Sequence, residues 1–456
     1  MKKNEYEELL SLAISTGADF AEIYVEDGKT TSYKVLDSKL DDIGFYTTRG
    51  IGIRLIKDND YYYTSTNNVS IDNIKKLIKN LTKNLTGTST KKVKLNNLEE
   101  VYPEIEIPHN QYPVEKKKAY LLNMDKKIRE VSQLISQVSL TFLEDDKEYI
   151  IANSDGKYIK SKNCVTRYIC TVYAEDKDQK AEEMTDYAQG RGYEILNHDL
   201  ESLSIKAANT AIEKLGAIDF KGGELPVVIA PGFGAVIFHE ACGHGLEATR
   251  VAPRLSVFSN DLGKEIATPK VTLIDDGTIP NAWGSNLIDD EGNPTQKNIL
   301  IEKGILKTFL VDKLHSKEMK LPANGCGRRE NYQYAPTSRM SNTYLKPGTD
   351  KVEDMIKSIK LGVYCQKMSG GSVNSTTGDF NFAVDTARLI EDGKLTKMIK
   401  GITLIGNSKD ILKNVEMVSS DLLLSGGYCE DKSGMIYVTI GQPTIKVSKI
   451  LVGGKE

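Results

Sequence analysis

The chain has 456 residues, 39% hydrophobic and 27% charged, which is enough apolar material for packed cores and argues against a fibrous or largely disordered protein. Its 60 basic and 63 acidic residues leave a net charge of −3 and no basic excess, so no direct nucleic-acid partner is expected. No apolar run is long enough to cross a membrane, Glu5, Glu7 and Glu8 interrupt any signal-like start, and the six cysteines show no pairing framework, so a cytoplasmic, reduced protein is expected.

Tyr6, Leu9, Leu10 and Ala13 fall at helical spacing, and Gly17 stops that helix. Strand-like runs follow from Phe20 to Val25, Thr31 to Val35, Gly50 to Ile56 and Tyr61 to Thr66, separated by Asp, Gly and Asn turns. Ile71, Ile74, Ile78 and Leu81 predict a second helix. Residues 85–113 turn small and polar and then carry Pro103, Pro108 and Pro113, which reads as a linker within the amino-terminal half. Leu121, Met124, Ile128 and Val131 predict a third helix, followed by strands in VSLTFLEDD, KEYIIANSDG and VTRYICTVYAEDK. Leu203, Ala207, Ala211 and Leu215 build a fourth helix that Gly216 closes. Gly222 and Gly223 then lead into Pro226 to Ala230, apolar throughout and read as a buried strand. Residues 270–456 are again strand-rich. The expected fold class is α+β in two domains: residues 1–221, mixed α/β with the linker near 85–113, and residues 222–456, strand-rich.

Chemistry concentrates directly after the apolar strand, in PGFGAVIFHEACGHGLEA. His239, Glu240 and His244 form an H-E-x-x-x-H pattern, one residue longer than the metalloprotease pattern with its histidines four apart. Five residues at about 100° each turn about 500°, which leaves the two rings about 140° apart on a regular α-helix. Gly243 and Gly245 flank His244, and a helix that breaks at Gly243 would swing His244 back toward His239. The bland alternative is two ordinary histidines at a helix end. A catalytic zinc needs a third protein ligand and an open position for water, and spacing alone does not choose between Cys242, Glu247 and Cys429. Arg328 and Arg329 are candidates for binding a peptide carboxylate or an oxyanion, against a structural ion pair with Glu330 or other carboxylates. Asp275 and Asp276 read as turn residues, and His109, His198 and His315 as solvated. There is no G-x-G-x-x-G after a strand, no P-loop and no serine elbow, which argues against nucleotide, redox and serine-hydrolase chemistry.

The run GELPVVIAPGFGAVIFHEACGHGLEA resembles the metal-binding segment of the TldD/PmbA family of zinc metallopeptidases. VTLIDDGTIP, GCGRRENYQYAPTSRMSNTYL, GSVNSTTGDFNF, KGITLIGN and SGGYCEDKSGMIYVTIGQPTIKV fit in the same order, and ADFAEIYVE, GIGIRLI, IANSDGK and KLGAIDFKGGELPVV fit more loosely. The PmbA-like (TldE) subunit lacks the metal motif, so this chain is similar to the TldD side. The resemblance implies that residues 222–456 form a metallopeptidase domain in which His239, His244 and Cys429 hold one Zn²⁺ per chain. It also implies that Glu240 is the general base and leaves Cys242 as a core thiol. Where the family commonly has Gly-Lys after the cysteine, this chain has Glu430 and Asp431, which adds negative charge beside the metal. The implied activity is hydrolysis of short or unfolded peptides, by a heterodimer with a PmbA/TldE-like subunit or by a homodimer. The alternative is a non-catalytic peptide-binding adaptor with a structural metal. A structural zinc is closed by four protein ligands, and three candidates favour catalysis.

Overall fold

The computed structural model describes residues 1–83 and 85–454. The amino-terminal sheet contains β1 (Phe20–Leu36), β2 (Lys39–Lys57), β3 (Asp60–Thr66), β4 (Glu99–Val101), β5 (Ile135–Asn153), β6 (Tyr158–Asp176) and β7 (Gln179–Gln189). The path runs β3-β2-β1-β5-β6-β4, with β7 also paired to β6, and only β4 lies parallel to its neighbour. Four helices cover one face: α1 (Lys3–Ile14), α2 (Ile71–Leu81), α3 (Val114–Arg129) and α4 (Leu200–Lys214). Because strand side chains alternate, odd-numbered β1 residues point one way and even-numbered ones the other. Ala21 and Ile23 enter the core under α1 and α2, while Tyr33 and Val35 enter the core under α3 and α4. The even-numbered Tyr24 packs instead with Ile288 and Tyr332 of the carboxy-terminal part.

The helices lie where the apolar spacing puts them, but two expected turns do not exist. The Glu26–Lys29 stretch is the middle of one continuous 17-residue strand, with Asp27 opposite Arg49 on one side and Glu148 on the other. Asp145 to Lys147 likewise lies inside β5, between β1 and β6. Strands on both sides satisfy these backbones, and that pairing outweighs the local turn preference of Asp and Gly.

In the carboxy-terminal part, β8 (Gly222–Ile229) pairs parallel to Leu361–Val373 and antiparallel to Ile445–Gly453. Those strands continue through Ile402–Asn407 and Asp379–Glu391 back to Leu361–Val373, so five strands close into a ring. A second, six-stranded sheet ends on the hairpin formed by Gly434–Gln442 and Leu423–Asp431, the latter as its terminal strand. The fold is thus α+β, and one large apolar core joins the ring, the second sheet and the segment that follows β8.

Charged residues seal the contact between the two parts. Arg54 on β2 bridges Glu22 at 3.0 Å and Glu291 at 2.8 Å, and Arg329 meets the other oxygen of Glu22 at 2.5 Å. All four side chains are essentially inaccessible, so removing one partner leaves an uncompensated buried charge, at a cost of about 3–5 kcal/mol.

Candidate metal centre

β8 leads through Gly232, at φ +84°, into a short helical run. From His239 to Gly243 that run is a π-helical turn, and His244–Leu246 follows as a 3₁₀ turn. The backbone N–H of His244 donates to the carbonyl of His239 five residues earlier. An i→i+5 bond stacks residues five apart much as an α-helix stacks residues four apart. The rings therefore meet, with centroids 5.1 Å apart and planes at 82°.

The helix does not break at Gly243, as the sequence suggested; that residue keeps φ −56° and ψ −53°, right-handed helical values. Its lack of a side chain serves packing instead. A Cβ at Gly243 would lie 2.0 Å from Sδ of Met340, and one at Gly245 would lie 2.9 Å from the Phe258 ring.

Cys429 comes from the terminal strand of the second sheet, and its Sγ lies 3.3 Å from Nε2 of His244. One donor atom each from His239, His244 and Cys429 falls within 4.8 Å of the others, and all three residues are buried. Burial alone would raise the Cys429 thiol, but the imidazoles of His244 and His239 outweigh it and hold the thiol down at about 3. Burial likewise opposes charge on His244, yet Glu247 and Cys429 leave that imidazole raised well above its ordinary value.

Glu247 is fully buried behind the cluster rather than in it. One of its oxygens accepts from Nδ1 of His244 at 3.0 Å and the other from the Met340 backbone N–H at 3.3 Å, so Nε2 of His244 faces the sulfur. Glu240, partly exposed, places a carboxylate oxygen 3.7 Å from that Nε2. Cys242 is buried in the main apolar core, where burial pushes its thiol up. Glu430 is exposed, and Asp431 lies 4.0 Å from Nδ1 of His244 with its charge paired to Arg250 at 3.0 Å.

The donor set suits a borderline-soft divalent ion such as zinc. Nδ1 of His239 is buried and has no hydrogen-bond partner, which is what a ring poised to coordinate an ion looks like. The group fits.

Other singled-out residues lie differently. Both Arg328 and Arg329 leave a buried Nε unpartnered, but Arg329 is committed to Glu22, whereas Arg328 donates from Nη1 to the Met340 carbonyl at 2.9 Å and, among the described residues, forms no ion pair. Asp275 is not a turn residue: it lies in a buried strand, Leu273–Asp276, and accepts from the Ser341 N–H and the Thr343 hydroxyl, both at 2.8 Å, whereas Asp276 ends the strand and forms the turn, accepting from the Thr278 N–H at 3.0 Å. Burial pushes the Asp275 carboxyl up to about 6. His198 is exposed and contacts the Tyr187 hydroxyl. His315 is half-buried and bonded to Asp312 at 2.8 Å. His109, expected in solvent, is 5% exposed, with Nδ1 2.7 Å from Asp146 and Nε2 2.8 Å from the Thr166 hydroxyl.

His109, Asp146 and Cys164 form a second grouping of metal-ligating residue types, but not one aimed at an ion. Cys164 Sγ is 3.7 Å from both ring nitrogens, so it lies off the lone-pair axis of either. Thr166 donates its single proton toward the carbonyls of Arg191 and Gly192, at 2.7 and 2.9 Å, and therefore accepts from Nε2–H of His109. Nδ1 is already engaged by Asp146, so both nitrogens of this ring are accounted for.

The residue that sequence reasoning missed is Arg339. Fully buried, it donates to Sγ of Cys429 at 3.1 Å and to the same residue's carbonyl at 2.6 Å. No local pattern around SRMSN announces this, because its partner lies 90 residues away.

Comparison with known proteins covers most of the chain. Residues 222–454 match the PmbA/TldA metallopeptidase C-terminal domain, residues 21–85 match domain 1 and residues 107–215 the central domain. The chain is 32% identical to the metalloprotease TldD homolog of Buchnera aphidicola (subsp. Acyrthosiphon pisum), over 96% of this chain and 93% of that protein. It is also 32% identical to the Haemophilus influenzae metalloprotease TldD homolog, with the same coverage. Among solved structures, TldE from Thermococcus kodakarensis shares the fold at a TM-score of 0.77 and 21% identity, covering 99% of this chain and 100% of that one. With three consecutive domain matches and a third of its residues identical to full-length relatives, the chain belongs to the PmbA/TldD family of metallopeptidases.

Proposed function

We propose that this protein is a peptidase in which His239, His244 and Cys429 hold one zinc ion and Glu240 acts as general base. The observation that carries this reading is the convergence of two imidazoles and a thiolate beside a carboxylate still open to solvent. A zinc ion held there supplies Lewis acidity, acidifying water and polarising the scissile carbonyl. Glu240 is placed to take the proton of the attacking water and return it to the leaving amine. Glu247 fixes the ring of His244 from behind, as carboxylates commonly do for metal-bound imidazoles. Arg328, bonded to a neutral carbonyl where Arg329 is tied to Glu22, is the freer of the two arginines to meet a substrate carbonyl.

The substrate is a short or unfolded peptide. An extended chain lies naturally along a terminal strand, and Cys429 sits on one. The partner is a second chain of the same fold, either a TldE-like subunit or another copy of this one. The described cysteines are all free and buried, which suits the reducing cytoplasm.

The test is Glu240→Gln, assayed for metal content and for cleavage of an unstructured peptide, with and without a TldE-like subunit. The variant retains one metal per chain, and cleavage falls by about 10²–10⁴-fold. Loss of the metal would make Glu240 a ligand and sink the assignment.

A further inference from the structure

The guanidinium of Arg339 is fully buried, and among the described residues it forms no ion pair with a carboxylate. A buried arginine cannot shed its proton and needs a compensating charge close by. The partners of Nη1 are the Ser433 hydroxyl at 2.9 Å and the Gly434 carbonyl at 3.0 Å, both neutral. Those of Nη2 are the carbonyl and the sulfur of Cys429. The sulfur is thus the anionic atom within hydrogen-bond reach. All four acceptors belong to the hairpin between Cys429 and Gly434, and the Arg339 backbone is tied down by its own N–H, which donates to the Cys326 carbonyl at 2.9 Å.

We propose that Arg339 is a positioning residue for the Cys429 thiolate: it supplies the countercharge and, by gripping sulfur and carbonyl of one residue with one nitrogen, fixes which way the sulfur's remaining lone pairs point. The inference rests on the reading of Cys429 as a metal ligand and adds a consequence to it. A charge-assisted hydrogen bond to a thiolate withdraws electron density from sulfur and weakens it as a donor. The bound ion then keeps more of its positive charge than two imidazoles and a free thiolate would leave it. The guanidinium thereby raises Lewis acidity without touching substrate.

Cobalt(II) reports this directly, because its thiolate-to-metal charge-transfer band follows the energy of the sulfur lone pairs. The full-length protein loaded with cobalt shows such a band, and Cys429→Ser abolishes it. In Arg339→Met the band moves to lower energy, and Arg339→Lys, which keeps a donor and a charge but not the fork, recovers part of the shift. Ser433→Ala loosens one anchor of Nη1 and produces a smaller shift in the same direction; this variant decides the matter if Arg339→Met does not fold. A band that disappears in Cys429→Ser yet stays at the wild-type energy in the folded Arg339→Met, or in Ser433→Ala when the former does not fold, overturns the role of Arg339 alone and leaves the hairpin pin as its whole function. A wild-type protein without the band, or with one that survives Cys429→Ser, overturns the ligand reading and this inference with it.

Discussion

Two places in this molecule put a buried histidine beside a buried cysteine and a carboxylate, and they are built to different ends. At His109, Asp146 and Thr166 hold the two ring nitrogens, and the sulfur of Cys164 sits at equal distance from both. At His244 the carboxylate stands behind the ring on Nδ1, the sulfur stands in front on Nε2, and a second ring nearby carries an unpartnered nitrogen. Residue types alone do not separate the two groupings. What separates them is where each lone pair points and whether a partner already uses it.

The sharpest way to break this contrast is metal analysis of paired variants. His244→Ala and Cys429→Ser reduce bound metal from one per chain to none in elemental analysis, whereas His109→Asn and Cys164→Ser leave it at one. Metal lost from the second pair would make the grouping at His109 a site after all. Next in size is Glu247→Gln. A carboxylate accepts from both His244 and the Met340 N–H, but an amide accepts with one end only and turns a donor toward the other partner. Metal affinity measured by chelator competition falls about 10–100-fold. An unchanged affinity would show that the orientation of His244 needs no support from behind.

Gly243→Ala tests the packing of the π turn. The added methyl collides with Met340, costing about 1–3 kcal/mol in denaturant unfolding, and the double variant with Met340→Ala regains part of the loss. No recovery would place the strain in the backbone. The smallest effect belongs to His315, a histidine with a carboxylate but no cysteine. Burial pulls its imidazole down, the hydrogen bond and charge of Asp312 outweigh that, and the net value is raised. A raised imidazole lends stability that is complete below its unfolded value of about 6.5 and fades as pH rises through the higher folded value. Stability melts of His315→Gln against pH should therefore lose a decline above about pH 6.5 of at most about 1 kcal/mol. An identical profile would dismiss the pair as a stabilising contact.

The fold was legible where side-chain periodicity reports on one element at a time. The four amino-terminal helices and the apolar β8 belong to that kind, and their buried faces follow the spacing of their leucines, isoleucines and alanines. Strand length was not legible, because Glu26–Lys29 and Asp145–Lys147 carry turn residues whose backbones are satisfied by neighbouring strands that no local window contains. Asp275 misled for a similar reason: it looks like turn chemistry and is a buried acceptor for Ser341 and Thr343. At the centre, the nearness of His239 and Glu240 is written in the sequence. The choice of Cys429 over Cys242 and Glu247 was not available from spacing and came from family resemblance alone. Arg339 was invisible for want of any local signal.

The π turn sets more than the meeting of two rings. A helix that carries one residue beyond the regular repeat shifts the rotational phase of everything downstream relative to the first histidine. Wound as a regular α-helix, the same sequence would turn His244 about 140° from His239 and take with it Glu247, three residues on, and Gly245, which packs on Phe258. The extra residue therefore acts as a gauge: absorbed in the π turn, it brings the second imidazole, and the supports that travel with it, into line with the first.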